Sequence, residues 1–469
     1  MNTIEVLQRL QRETKAEVYF VGGYVRDLLR NKSNTDLDIV VRGLSMKNIK
    51  KFLVRHGKVK DINLAKTNDS LSVNILLFRA LSDTLEAQIS LPRRGKRQKP
   101  DSHNTLRQDV QFRDFKINSM YLPIEYKSKR DVIDLVGGKK DIEEKRITSN
   151  GSAANRIKES PVRMLRAISL AARTGYVIDN EIINTIKTNA DLVSKVPAEV
   201  IQNEFNKIIL SKRPSKYLKL LNSTGLLKHI SPELETCVNV EQDNRYHKYD
   251  VFSHLIFTCD NCESDLVLRL AGLLHDIGKP ATRRTVKDGE GAVRTTFHNH
   301  EVISTRLAKT FLNRLKYNNE TTKAVLLLVK LHMYHFTRDW TDAAIRKFIK
   351  KADIGEEYMD EEKISYFPLF KLRAAERMGN GFKGGVAVTD RQRDFERKIV
   401  KIYKEGKVLN ISDLNIDGNI LMKTFNIKPG KTVGKILKFL HECVLENPKL
   451  NNELDLLKLT TEYLYKEKM

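Results

Sequence analysis

Asp36 and Asp38 stand one residue apart in the segment TDLDIV, a short distance after the pair Gly22-Gly23. A strand alternates its side chains with period 2, so if LDIVV is a strand both carboxylates point to one face. Two hard oxygen ligands on a rigid strand suit Mg²⁺, which takes carboxylates, water and substrate phosphates. A two-metal site of this kind activates an attacking hydroxyl and steadies a leaving pyrophosphate. Gly22 and Gly23 let backbone amides approach a triphosphate, and the helix opened by YVRDLLR presents its positive N-terminus. Together, at this spacing, they describe a nucleotidyl-transfer site.

A second concentration lies further on. Seven of the chain's 11 histidines fall between residues 247 and 335. AGLLHDIGKP sets His275-Asp276 at the end of an apolar helix, with Gly278 and Pro280 as stop signals. His254 precedes it, and His298, His300 and His332 follow. Such spacing can gather imidazoles and a carboxylate around one or two divalent metals. Cys259 and Cys262 form a CxxC, but neither a second pair nor a close histidine pair completes a zinc site, and helical periodicity makes them buried thiols.

The elements that must position these residues are legible in the pattern. VYFVGG, LDIVVRG, SVNILLF, LEAQISL and INSMYLPI read as strands within the first ~125 residues. After about residue 155 helical periodicity takes over, as in VRMLRAISLAARTG and EVIQNEFNKIILS. A chain of 469 residues, 41% hydrophobic and 30% charged, implies several domains. No apolar run reaches the roughly 18 residues a membrane helix needs, and MNTIEVLQRLQRETKAEV reads as an amphipathic helix without a signal-peptide core. Few cysteines and no signal point to the cytoplasm. The net charge of +24 fits either a nucleic-acid binder or a generically basic protein. The loop LPRRGKRQKPDSHNTLRQD concentrates basic residues, among them Arg93, Arg94, Lys96, Arg97 and Lys99, and reads as a mobile arm over polyphosphate or RNA.

GGYVRDLL followed by TDLDIV resembles the head of the class II tRNA nucleotidyltransferase and bacterial poly(A) polymerase family. FRDFKINSM (112–120) resembles the family's RRDFTINAM, and DLVGGKKDI (134–142) its DPFGGxxDL turn. ESPVRMLRAISLAARTGY (159–176) and DGNILMKTFNIKPGKTVGKIL (417–437) resemble two further elements in the family's order. The resemblance implies an α+β chain: a nucleotidyltransferase mixed-sheet head (1–150), then an all-α neck (151–235), an HD-type body (236–380) and a helical tail (381–469). It implies Asp36 and Asp38 as catalytic metal ligands, with Gly22, Gly23 and Arg26 holding the triphosphate. Arg113, Asp114 and Asn118 would line the nucleotide pocket; Arg163 would read the base, supported by Arg166. Gln88 stands where many members place a third carboxylate, which makes Glu86, two residues earlier on the same strand face, the substitute candidate. Ser160 replaces the family's aspartate in the base-reading helix, Phe112 and Lys116 alter its RRDFT segment, and Val200 replaces an arginine.

The histidine pattern resembles the HD phosphohydrolase superfamily. That resemblance implies His254, His275, Asp276, His300 and His332 as candidate ligands of a second divalent metal, with His298 and His335 behind them or at the surface. Ala375-Glu376 stand near the place of the last HD aspartate. The expected partners are tRNA, CTP and ATP, with Mg²⁺ in the head, and Arg93, Arg94, Lys428, Lys431 and Lys435 gripping RNA. The expected function is addition of C and/or A to the 3′ end of tRNA. The alternatives are an HD-centred phosphohydrolase or phosphodiesterase, a poly(A) polymerase-like enzyme, and a non-catalytic RNA-binding relative. RHGKVKDINLAKTND does not fit the GRRFxxxH segment of the polymerases, which favours tRNA.

Overall fold

The computed structural model describes all residues except 65–72, 95–99, 244, 246, 288–292, 382–386, 405–409 and 469. Lys96, Arg97 and Lys99 of the basic loop therefore lie outside the described residues. The chain divides into two compact units, Met1–Glu235 and Thr236–Met469.

The first unit is built on a seven-stranded sheet of order β3-β4-β5-β2-β1-β6-β7. The strands are β1 (Glu17–Val21), β2 (Leu37–Arg42), β3 (Gly57–Leu64), β4 (Val73–Ala80), β5 (Ala87–Ser90), β6 (Met120–Pro123) and β7 (Ile133–Asp134). β2 and β5 run parallel, with Asp38 opposite Gln88; the other pairs are antiparallel. Leu37, Ile39 and Val41 alternate into a core with Phe20, Phe78 and Ile89, which turns Asp38 to the other face. The helix Thr3–Thr14 closes that core with Val6, Leu7 and Leu10, and a reciprocal Asn2–Glu5 capping box fixes its start. β3 carries no strand signal in the sequence, because Lys58, Lys60 and Asp61 break the alternation. It is the edge strand, and those residues are exposed. Helices follow the sheet, among them Ala153–Glu159 and Val162–Thr174, the latter stopped by Gly175 at φ 77°.

The second unit is predominantly helical, with one addition the sequence did not suggest, the hairpin Arg284–Lys287/Val293–Thr296. Its clustered histidines come from the helices Val251–Asn261 and His300–Arg314 and from the residues just beyond Leu266–Leu274 and Asn319–Leu331. Gly278 brings two of these together. Its amide donates to Ser304 Oγ at 2.9 Å, and a Cβ there would lie 2.5 Å from the His300 carbonyl oxygen and from the Ser304 nitrogen. Only a glycine lets the HDIGKP segment approach His300 this closely. The tail helices Gly418–Phe425, Lys431–Glu446 and Glu453–Lys468 pack around Leu421, Ile436, Leu440 and Val444. Among the described residues no helix is long and apolar enough to cross a membrane.

Candidate active site and metal centre

In the first unit a cavity of about 130 Å³ opens beside the strand that carries Asp38. Gly22 and Gly23 form one side, Asp38 the floor, and Arg93, Arg113, Arg163 and Arg166 face them. Four guanidinium groups around a half-buried carboxylate suit a polyphosphate and a metal together, because cations and metal share the phosphate charge. Asp36, just before β2, is exposed and not among the cavity-lining residues, and its amide donates to Asn34 Oδ1 at 2.8 Å. Burial pushes the Asp38 carboxyl up from its ordinary range and Asp36 adds to this, while Arg113, Arg166 and Arg26 oppose it. Asp38 has no ion-pair partner among the described residues, so its charge is left for a ligand. These residues fit a divalent cation.

Gly22 is the tightest point of the cradle. Its φ of 65° and ψ of −131° belong to glycine, and a Cβ there would lie 2.8 Å from Asp38 Oδ2. Asp114 and Asn118 both line the cavity; Asp114 pairs with Arg166 at 2.8 Å, and Asn118 Oδ1 accepts from Arg26 Nη1 at 2.8 Å.

Three sequence expectations are changed. Arg26 was expected on the triphosphate; it is 3% exposed, absent from the cavity wall, and committed to Asp27 (Nε–Oδ1 2.9 Å) and Asn118. It acts behind the cradle because the helix Gly23–Leu29 turns it inward beside its acid neighbour. Arg93 was expected on a mobile RNA arm; it stands on the cavity wall, its amide donating to Asp109 Oδ1 at 2.9 Å. Glu86 is exposed, and among the described residues no third acidic or histidine ligand gathers with Asp36 and Asp38 within 4.8 Å. The parallel register puts neutral Gln88 beside Asp38 instead. Arg94 is exposed next to the wall.

Asp109 was missed by the sequence reading and organises one wall. It is 1% exposed, accepts from Arg113 Nε at 2.9 Å and from the Tyr121 hydroxyl at 2.7 Å. The four-residue step from Asp109 to Arg113 was the available signal. Burial would raise its carboxyl; Arg113 and Arg93 outweigh that and hold it at about 2. Asp109→Asn leaves the Arg113 cation buried without a counter-charge and is expected to cost about 3–5 kcal/mol in denaturant titration. Since the folded pKa lies below the unfolded value of about 3.9, the carboxylate's contribution is complete above about pH 5 and fades towards pH 2. A variant with an unchanged midpoint would remove the network from the forces that hold the wall.

On the neck, Arg163 donates to Glu159 Oε2 at 2.9 Å and to the Phe112 carbonyl at 3.0 Å, and Arg156 donates to the same Glu159 oxygen at 2.8 Å. These bonds fix the Arg163 guanidinium at the cavity wall. Ser160 caps the end of Ala153–Glu159 next to them.

In the second unit the structure brings together His254, His275, Asp276, His300 and His332, all buried. Asp276 Oδ2 lies 3.5 Å from His254 Nε2 and 3.3 Å from His275 Nε2; Oδ1 lies 3.0 Å from His300 Nε2 and 3.4 Å from His332 Nε2. The Nδ1 atoms of His275, His300 and His332 meet the carbonyls of Gly272, Phe297 and Val329 at 2.9, 2.7 and 2.6 Å. Those bonds place the ring proton on Nδ1 and turn the Nε2 lone pair inward, which is how proteins prepare a metal ligand. The Nε2 atoms of His254 and His275 are 3.1 Å apart, and those of His300 and His332 are 3.3 Å apart. Nitrogens so close share either a ring proton or a metal cation, and with the Asp276 carboxylate among them the donor set fits a divalent metal.

Lys279 Nζ, 2.6 Å from Asp276 Oδ2, and Glu376 complete the surroundings. Glu376 pairs with Arg373 at 2.8 Å; burial would raise its carboxyl, but Arg373, His275 and His332 hold it down to about 2. Glu376 thus supplies negative charge near the centre, where Ala375 supplies none. His298 and His335 are exposed. Cys259 and Cys262 are buried, and burial pushes both thiols up, away from metal-binding thiolate. Adding Mn²⁺ to chelator-treated protein is expected to raise the melting temperature of this unit by several degrees at 100 times Kd, and His275→Ala should remove the increase. An equal shift in the variant would exclude this centre as its source.

A mixed sheet with Asp38 under an arginine-walled cavity defines a nucleotidyltransferase head, and the second unit defines an HD centre. Residues 18–148 match the poly A polymerase head domain, 175–237 the probable RNA and SrmB-binding site of polymerase A, 251–366 the HD domain and 385–459 the tRNA nucleotidyltransferase domain 2. Each of the four segments is thus similar to a domain of the tRNA nucleotidyltransferase and poly(A) polymerase kind or, for 251–366, to an HD domain. The chain is 27% identical over 455 residues to the CCA-adding enzyme of Lactococcus lactis subsp. lactis (strain IL1403), covering 93% of this chain and 91% of that one. It is 28% identical over 256 residues to the A-adding tRNA nucleotidyltransferase of Deinococcus radiodurans, covering 52% and 56%. The fold is similar to that of the Bacillus stearothermophilus CCA-adding enzyme crystallised with CTP, with TM-score 0.66, 19% identity and coverage of 99% and 98%. Such families generally use divalent metals, and the histidine–aspartate groups of this chain are of that kind.

Proposed function

We propose that this chain is a template-independent nucleotidyltransferase that adds C and/or A from CTP or ATP to the 3′ end of tRNA, working in the cytoplasm. The observation that carries the proposal is Asp38 set against four arginines and the Gly22-Gly23 cradle in one small cavity. The names of relatives matched over nearly their whole length supply the substrate class.

In this reading Asp36 and Asp38 hold Mg²⁺, which when bound lowers the pKa of the attacking hydroxyl and neutralises phosphate charge. The tRNA 3′ hydroxyl attacks the α-phosphate of the nucleotide and pyrophosphate leaves. Gly22 and Gly23 admit the triphosphate close to the backbone, with Arg113 and Arg166 on its charge and Asn118, oriented by Arg26, beside it. Arg163, steadied by Glu159, reads the base edge. Positioning and fixed charge supply most of the rate enhancement. The domains run 1–150 (head), 151–235 (neck), 236–380 (HD body) and 381–469 (tail). Arg94 and the exposed Lys428, Lys431 and Lys435 contact RNA phosphates. In the HD body, the four histidines and Asp276 hold a second divalent metal for hydrolysis of a phosphate ester.

Ser160 offers the base a neutral hydroxyl. A carboxylate there would accept from the exocyclic amino group that C and A carry and U lacks. Ser160→Asp is therefore expected to raise the CTP-over-UTP ratio of kcat/KM by on the order of 10-fold. An unchanged ratio would remove position 160 from base recognition.

The test is incubation with tRNA transcripts ending before CCA, after C and after CC, with labelled CTP or ATP and Mg²⁺. Incorporation that Asp36→Asn abolishes supports the reading. Release of phosphate or nucleotide without incorporation, abolished by Asp276→Ala, would replace it with an HD-centred hydrolase. Silence in both would leave an RNA-binding protein.

A further inference from the structure

The second unit contains a cavity of about 350 Å³ that the reactions above do not use. Arg373, Arg377 and Arg391 line it, together with Tyr334, Phe336 and Phe395. The volume exceeds what an inorganic phosphate needs and lies within the range of small-molecule pockets.

Its charge is poorly balanced. Arg373 pairs with Glu376 at 2.8 Å; among the described residues Arg377 donates to neutral groups, the Ala387 carbonyl at 2.9 Å and Gln392 Oε1 at 2.6 Å. Gln392 passes on to the buried Glu396 at 2.9 Å, so two carboxylates stand against three arginines. Arg391 is exposed and has no carboxylate partner among the described residues. The helix Asp390–Lys404 starts at this wall, with Thr389 Oγ1 accepting from the Gln392 amide at 3.2 Å, so its positive end adds to the arginines. The Tyr334 hydroxyl is closed off from solvent and has no hydrogen-bond partner among the described residues. A buried hydroxyl without a partner is costly, and a ligand oxygen would remove that cost. Tyr334, Phe336 and Phe395 supply the aromatic part of the lining, the two phenylalanines buried and stacked on each other at 4.3 Å. Cations together with an aromatic lining call for a ligand that is anionic at one end and planar or apolar at the other.

We propose that this cavity binds a small phosphomonoester of the nucleoside monophosphate class, with Arg377, Arg391 and the Tyr334 hydroxyl on the phosphate and the aromatic lining against the nucleoside. The helix Pro368–Gly379 carries Arg373 and Arg377 to the cavity and Glu376 towards the histidine centre, so the ligand sits beside a site suited to phosphate-ester chemistry. The inference holds whether or not the chain extends tRNA.

CMP and inorganic phosphate are titrated calorimetrically into the full chain with chelator present, so that no metal holds the phosphate. Arg166→Ala in the background weakens binding in the head cavity. The expected result is CMP binding that persists in this background and weakens about tenfold on adding Arg391→Ala, with a smaller loss for Tyr334→Phe. Arg391 is exposed, so its removal leaves the fold intact, which an unchanged melting temperature verifies. No CMP binding in the Arg166→Ala background, or binding insensitive to Arg391→Ala, overturns the proposal. Inorganic phosphate binding as tightly as CMP overturns its nucleoside part.

Discussion

Asp38→Asn is expected to reduce nucleotide incorporation by about 10³-fold or more while leaving the head as stable as before, or slightly more so. The substitution keeps the shape and removes the charge. That charge is a folding cost: burial and Asp36 raise the Asp38 carboxyl. A carboxyl whose folded pKa lies above its unfolded value contributes stability only at low pH, and loses it as pH rises. At neutral pH its ionisation is therefore retained for a ligand rather than for the fold. Asp109→Asn should show the opposite balance, because Asp109 is held low by Arg113 and Arg93. Labelled CMP incorporation and thermal melting, measured on the same preparations, separate the two. Activity of Asp38→Asn within tenfold of the parent would remove this carboxylate from the reaction.

The second large effect is at Gly22. Gly22→Ala is expected to lower incorporation by about 10²-fold and to destabilise the head by about 1–3 kcal/mol. Alanine is strained at φ 65° and ψ −131°, and its methyl would press on Asp38 Oδ2 from 2.8 Å. The carboxylate must then turn away from the position the cradle gives it. Gly23→Ala is the control, since its nearest neighbour is Asn34 Nδ2 at 3.2 Å and its φ is not positive. A larger loss at Gly23 than at Gly22 would contradict this account of the cradle.

These positions were legible in the sequence because each depends on a local rule. Period-2 alternation set Asp38 opposite the core, and a glycine pair before a helix marked the cradle. The β1, β2, β4, β5 and β6 segments carried enough apolar residues to be read as strands. Edge strand β3 did not, since half of its surface faces water and its lysines mimic a loop. Arg26 was misplaced because local pattern cannot tell which partner a buried cation selects; Asp27, its neighbour, has the sequence character of a surface acid. Glu86 is exposed, and strand alternation gave it a face but not a distance to Asp38. Glu376 was visible only as a departure from a motif, and its closeness to the histidines depends on how three helices pack.

Asp27 also ties the cavity's parts into one unit. It accepts from Arg26, from Arg30 at 2.9 Å and from Asn34 at 2.8 Å. Arg26 goes on to orient Asn118, Asn34 anchors the Asp36 amide, and Arg30 reaches the Thr174 carbonyl at the end of the helix that carries Arg163 and Arg166. Asn118 on the cavity wall, the loop before Asp38 and the helix Val162–Thr174 are thus linked to one buried acceptor. Substitutions in these three places are not thermodynamically independent, and their energies will not add. A second change in this network acts on a hub the first has already loosened, so no single-residue scan can rank its members.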